Sequence, residues 1–297
     1  LLKNVLEPEW EALFEPNSYG FRPGRSAHDA IKQIKFCIQH KAKYVLDADI
    51  AKCFDRIIHE FLLQKLGIKG KVKRQILAWL KSGVIDQRTF TATSEGTPQG
   101  GVISPLLANI ALHGLEERIK QEFPRMTYTS RETWFHKKGT EFKPPNVIRY
   151  ADDFVVLHEN KAVVQRCREI ISEWLKEAGL ELKPEKTRLT HTLNPELSED
   201  GKAGFDFLGH HIRQLRAVKY RSSYNQQGEL TGFITFITPS AKASKVHQKA
   251  VGKINRKHRS SPQEALIRDL NPVIRGCCDS LTRNSIRQMS IYLKSME

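Results

Sequence analysis

The chain has 297 residues, 39% of them hydrophobic and 27% charged, which is enough to bury a substantial core in one large domain or a main domain with a smaller appendage. No run of about 18 apolar residues occurs, so a membrane-spanning helix is excluded. Forty-eight Lys and Arg against 33 Asp and Glu leave a net charge of +15, which favours a polyanionic partner such as RNA, DNA or an acidic membrane surface.

The chain opens on Leu-Leu-Lys-Asn-Val-Leu-Glu-Pro, with neither an initiator Met nor a signal-peptide layout, and is expected to be a piece of a longer protein. After a turn-like stretch at 17–24, Ser26 begins an S-x-x-D capping pattern. Ala30, Ile31, Ile34, Cys37 and Ile38 follow at helical spacing, which predicts a helix over 26–40. Residues 43–50 then alternate, with Tyr44, Leu46, Ala48 and Ile50 on one face and Val45, Asp47 and Asp49 on the other, so a strand carries two carboxylates on one side. Helices are expected at 59–66 and 71–81, a β-rich stretch at 87–93, an irregular Gly/Pro loop at 96–101, and a single helix from Ser104-Pro105 to about 123. Residues 124–145 read as a loop or ragged hairpin.

Two short apolar strands, 146–150 and 154–158, flank Ala151-Asp152-Asp153, which predicts a hairpin with acids at its tip. A long helix follows at 161–178, its Val163, Val164, Cys167, Ile170, Ile171, Trp174 and Leu175 forming one core-facing stripe. Strands near 187–192, 205–212 and 231–237 complete an α+β body. From Pro239 the pattern turns helical and basic: residues 240–297 hold twelve Lys or Arg against four acids, and Lys242, Lys245, Lys249, Lys253 and Arg256, with Lys257 beside them, form a charged ridge. Five cysteines, odd in number and without a C-x-x-C pair, fit a reducing compartment. The eleven histidines show no zinc-ligand spacing.

Phosphoryl transfer by the two-metal route needs carboxylates able to hold two divalent cations about 3.5–4 Å apart. Asp49, Asp152 and Asp153 meet that need if strand 43–50 pairs with hairpin 146–158. Acids buried beside apolar strands are costly unless cations neutralise them. By itself, however, Asp-Asp in a hairpin is also an ordinary turn sequence.

Three blocks in order change that balance: Asp49 within Asp-Ala-Asp-Ile-Ala-Lys-Cys-Phe-Asp, Thr97-Pro98-Gln99-Gly100-Gly101-Val102-Ile103-Ser104-Pro105, and Tyr150-Ala151-Asp152-Asp153. They are accompanied by Tyr19-Gly20-Phe21-Arg22-Pro23-Gly24-Arg25-Ser26, by residues 179–187 and by Phe207-Leu208-Gly209. The set resembles group II intron-encoded reverse transcriptases over nearly the whole chain, and the string from Pro98 to Ile110 carries the likeness to that lineage.

The resemblance implies a right-hand polymerase, with fingers and an antiparallel palm sheet over 1–238 lacking the N-terminal part of the fingers, then an α-helical thumb, domain X, over 239–297. It makes Asp49, Asp152 and Asp153 the catalytic metal ligands, with the Ile50 carbonyl, for two Mg2+ ions. Cys53, Phe54, Pro98, Gln99, Gly100 and Lys186 fall to the nucleotide pocket: Phe54 excludes a ribose 2′-OH, Gln99 lies beside the incoming deoxynucleoside triphosphate, and Lys186 serves the leaving pyrophosphate. Arg22 and Arg25 fall to the fingers near template or triphosphate, and Leu208 and Gly209 to the primer grip. Asp47 and Asp55 receive no metal role, and Asp55 is expected to cap the helix that follows.

Lys242, Lys245, Lys249, Lys253, Arg256 and Lys257 are implied to track nucleic-acid phosphates without reading sequence. Asn271-Pro272-Val273-Ile274-Arg275-Gly276 resembles the domain X signature, but Cys277-Cys278-Asp279-Ser280 replaces the family's aromatic and polar run. The function so implied is an RNA-directed DNA polymerase that also binds its host group II intron RNA as a maturase. Its partners would be intron RNA, a template RNA–DNA primer duplex and target DNA, in the bacterial cytoplasm or alternatively an organelle. A splicing-only RNA-binding maturase and a CRISPR-associated reverse transcriptase are the competing readings.

Overall fold

A computed structural model describes residues 1–82, 84–86, 89–91, 95–97, 101–127, 141–217, 222–225 and 227–281. The chain divides into two compact units, one of residues 1–30 and 44–189, the other of 31–43 and 190–297.

The first unit is built on an antiparallel sheet. Strand β1 (Tyr44–Asp49) runs beside the second arm of a hairpin, and the four-stranded order is β6-β7-β1-β8, with β6 at Asn146–Tyr150, β7 at Asp153–His158 and β8 starting at Arg188. Before β1 lie α1 (Leu2–Leu13) and the start of α2 (Ala27–Ile38). After it come α3 (Cys53–Arg56), α4 (His59–Leu66), α5 (Gly70–Leu80), a small β2–β3 pairing (Val84–Asp86 with Thr89–Thr91), α6 (Ser104–Leu112), α7 (Leu115–Glu122) and another small pairing, β4 (Met126–Thr127) with β5 (Glu141–Phe142). The expected box closes α2: Ser26 Oγ accepts from the Asp29 amide at 3.3 Å, and Asp29 Oδ2 accepts from the Ser26 amide at 3.0 Å.

Helix α8 (Lys161–Glu177) lies against β1 and β7. The Asn160 side chain caps it by accepting from the Ala162 amide at 2.9 Å, and Val164, Cys167, Ile170, Ile171 and Leu175 are buried at helical spacing. Each aliphatic member of that stripe contributes about 1.5–3 kcal/mol by leaving water.

Three stretches depart from the sequence expectation, one of them the strand expected near 205–212, which is a hairpin turning at 208–209. Helix α1 is present although nothing local announced it; Leu6 and Trp10 bury one side of it despite Pro8. The single helix expected over 104–123 is broken in two, because His113 is extended and Gly114 is left-handed at φ +96°. Distant side chains take up the exposed backbone groups. The Lys65 ammonium donates to the Ala111 carbonyl at 2.8 Å and to that of His113, while Glu15 Oε1 accepts from the amides of Gly114 and Glu116 at 3.0 and 2.9 Å. Asp55 lies inside α3, and the cap position of α4 is Ile58.

In the second unit, the end of α2 packs with a three-stranded antiparallel sheet of order β11-β10-β9: β9 at Phe205–Phe207, β10 at His210–Arg216 and β11 at Phe233–Pro239. Gln214, fully buried, donates to the Ile38 carbonyl at 2.6 Å and accepts from Thr192 Oγ1 at 2.5 Å. Two helices follow, α9 (Ala241–Lys257) and α10 (Gln263–Leu281), packed on each other. Ser240 caps α9 by accepting from the Ala243 amide at 3.2 Å.

Candidate active site

The sheet register brings the predicted acids together. Asp49, the last residue of β1, stands directly opposite Asp153, the first of β7, and side chains so opposed have Cβ atoms about 5 Å apart. The Ile50 amide donates to the Asp152 carbonyl at 3.3 Å, which ties the hairpin turn to the end of β1. On the other side of β1, the Lys183 amide donates to the Asp49 carbonyl at 2.8 Å and the Ala51 amide to that of Glu181 at 2.9 Å. The turn after Lys183 then delivers the Lys186 ammonium onto Asp49 Oδ2.

Burial is the main perturbation of the cluster. Asp153 is pushed up to about 6 by burial, then by the charges of Asp49 and Asp152; Asp152 is raised by burial and by Asp49. Lys186 is raised by its hydrogen bond to Asp49, so it stays a cation. Cys53, buried beside the acids, is pushed up to about 12 by burial and then by Asp152, and is a neutral thiol. Among the described residues no three His, Cys, Asp or Glu side chains stand as a compact metal cluster. Yet Asp49 Oδ1 is buried without a hydrogen-bond partner, and the carboxylates of Asp152 and Asp153 lie close enough to Asp49 to feel its charge. That hard, all-oxygen donor set fits divalent cations such as Mg2+.

The remaining predicted residues fall out differently. Phe54 is half-buried and meets the ring of Phe21 edge to face, 6.0 Å between centroids. Pro98, Gln99 and Gly100 lie outside the described residues. Arg22 corrects its expectation: it is buried, paired with Glu11 at 2.8 Å, and donates to the carbonyls of Glu15 and Ser18 at 2.9 and 2.8 Å. An inward guanidinium with those partners secures α1 and cannot face a template. Arg25 is exposed, donates to the Pro16 carbonyl at 2.8 Å and lies over the Tyr19 ring. Asp47 is paired with Arg188 at 3.1 Å.

In the second unit, Leu208 and Gly209 are consecutive left-handed residues forming the two-residue turn between β9 and β10, and the Gly209 carbonyl accepts from the Ser240 amide at 2.9 Å. Lys242, Lys245, Lys249, Lys253, Arg256 and Lys257 are all exposed on α9, and Lys257 is paired with Asp269 at 3.1 Å. Sequence reasoning passed over Arg149 and Asn109, both buried directly behind the acid turn. The signal was available, since Arg149 follows the apolar pair Val147-Ile148 in β6 and Asn109 interrupts the apolar run from Leu106 to Leu112 in α6.

An antiparallel palm sheet with paired acids at its strand ends, flanked by helices, defines the class of right-hand nucleic-acid polymerases. A family model described as reverse transcriptase (RNA-dependent DNA polymerase) matches residues 1–212, and the chain belongs to that family. Protein YkfC of Escherichia coli K12 is 32% identical over 247 residues, covering 75% of this chain and 60% of its own length. The group II intron-encoded protein LtrA of Lactococcus lactis subsp. cremoris is 30% identical over 291 residues, covering 79% and 46%. The chain thus spans about half the length of these curated relatives, and the match to LtrA bears out the resemblance to the group II intron-encoded lineage. Two apo telomerase structures from Candida tropicalis superpose with a TM-score of 0.52, one at 17% identity over 71% of this chain and 43% of its own, the other at 13% over 99% and 51%. At that identity the likeness is one of fold, and the fold is α+β of the right-hand polymerase type.

Proposed function

We propose that the chain is the polymerase portion of an RNA-directed DNA polymerase, with Asp49, Asp152 and Asp153 as its catalytic acids. The observation that carries this reading is the register pairing of Asp49 with Asp153 and the tie of Ile50 to Asp152. The three carboxylates and the Ile50 carbonyl would hold two Mg2+, which when bound activate a primer 3′-hydroxyl and neutralise a leaving pyrophosphate. Lys186, held as a cation on Asp49, offers positive charge or a proton to the pyrophosphate. Phe54, braced by Phe21, is the wall that excludes a ribose 2′-OH, with Cys53, Pro98, Gln99 and Gly100 completing the deoxynucleotide pocket. Arg25 serves the fingers, and the Leu208–Gly209 turn grips the primer end.

In this reading residues 1–238 are fingers and palm and 239–297 the thumb, whose lysine ridge follows the template–primer duplex and host intron RNA. Maturase action and retrohoming with a DNA target belong to the same proposal, supported by the likeness to LtrA, a group II intron-encoded protein; a cytoplasmic, nucleic-acid-associated location is proposed with them. Primer extension on an RNA template with deoxynucleotides and Mg2+ tests it. Extension by the wild type and none by Asp152→Ala is expected; extension that survives Asp152→Ala overturns the acid assignment.

A further inference from the structure

The turn that carries the acids is itself in an unfavoured conformation. Ala151 is left-handed at φ +58°, at a two-residue hairpin position ordinarily filled by glycine. Something must hold it, and the contacts are on the inner side of the hairpin. Arg149 Nη1 donates to the Ala151 carbonyl at 3.1 Å and to Asn109 Oδ1 at 3.0 Å. Asn109 Nδ2 donates in turn to the Gly20 carbonyl at 2.7 Å. Gly20 presses on the turn so closely that a Cβ there would lie 2.3 Å from the Ala151 amide nitrogen, which is why this position must be glycine. The Arg149 backbone is clamped as well, its amide donating to the Asn17 carbonyl and its carbonyl accepting from the Tyr19 amide, both at 2.9 Å.

Stability alone does not account for this arrangement. Arg149 is 2% exposed, and its Nε and Nη2 find no hydrogen-bond partner, so the charges of Glu15 and Glu116 offset its desolvation without a hydrogen-bonded ion pair. The bonds it does make converge on one backbone carbonyl and one amide. Asn109 belongs to α6, which begins four residues after Gly100 in the sequence, and Gly20 to the segment that follows α1. We infer that Arg149 and Asn109 are positioning residues that lock the Ala151-Asp152 turn and set Asp152 and Asp153 relative to Asp49, linking the turn to α6. The inference rests on reading those acids as metal ligands.

Arg149→Lys keeps charge but loses the planar fork that reaches two acceptors; Asn109→Ala removes the middle of the chain and keeps the test open if the first variant does not fold. Hydrogen exchange of the amides of Ile50 and residues 151–153 is expected to speed at least tenfold in both, with the amides of α8 unchanged. Half-saturation by Mn2+, followed by the paramagnetic resonance of the free ion, should move several-fold higher, and kcat should fall with little change in template–primer affinity. Wild-type exchange and Mn2+ binding in either folded variant overturns the inference, as does faster exchange spread evenly over the first unit. A wild type that extends no primer, with variants that loosen the turn and weaken Mn2+ binding, would instead sink the polymerase reading and leave the lock standing.

Discussion

Replacing Asp153 by Asn should make the metal-free protein more stable at neutral pH while removing its activity. The carboxyl stands at about 6 in the fold against an ordinary 3.8, raised by burial and by Asp49 and Asp152. At 1.36 kcal/mol per pH unit this is about 3 kcal/mol of preference for the protonated form, and screening by the water reaching this half-exposed group reduces it to about 1–2 kcal/mol. A raised folded pKa means the fold binds the proton more tightly than the unfolded chain does. The stabilisation is therefore complete below about 4 and is lost as pH rises through about 6. Asp153→Asn abolishes that loss, so its advantage should be near zero at pH 4, grow through pH 6 and level off above it. Urea unfolding in EDTA at several pH values measures the difference, and titrations common to both proteins cancel. Added Mg2+ should then stabilise the wild type more than the variant. An Asn variant no more stable than wild type at pH 7.5, or an advantage of equal size at pH 4, would refute the account.

Lys186→Gln removes the cation that sits on Asp49, and single-turnover incorporation should slow on the order of a hundredfold. A loss of less than threefold would leave Lys186 a surface charge. On α9, Lys245→Gln combined with Lys249→Gln should weaken RNA binding alike for unrelated sequences. It should also flatten the slope of log K against log salt by about 1.4–1.8, as two lost phosphate contacts require; filter binding across a salt series reads both.

How much the sequence disclosed follows the range of the interactions involved. The Asp49 strand, the acid hairpin and α8 were legible because alternation, a two-residue turn and a 3.6-residue stripe are local signals. The break between α6 and α7 was not, since Gly114 looks like a tolerable helix glycine until Lys65 and Glu15 arrive from about fifty and a hundred residues away. Arg22 misled for the same reason. A motif specifies an arginine there but not its direction, and Glu11 draws it inward. The acids were recognisable only in combination with the nucleotide-loop motif, whose Pro98, Gln99 and Gly100 lie outside the described residues.

Stability and activity are set against each other on both sides of the hairpin. In front, burial and neighbouring carboxylate charge raise the proton affinity of Asp152 and Asp153, a cost that the Lys186 cation offsets in part and that bound cations would offset more fully. Behind, Arg149 is desolvated with two of its nitrogens unpaired, and Ala151 holds a backbone conformation that an L-residue adopts at a cost of about 1–2 kcal/mol. An apolar residue in place of a buried charge is often neutral or stabilising, so folding alone gives little reason to keep a guanidinium here. The two costs have a common geometric origin. Carboxylates that repel can be kept close only by a backbone that does not yield. The left-handed Ala151, fixed through its carbonyl by Arg149 and through its amide side by Gly20, is the point at which this fold resists that repulsion.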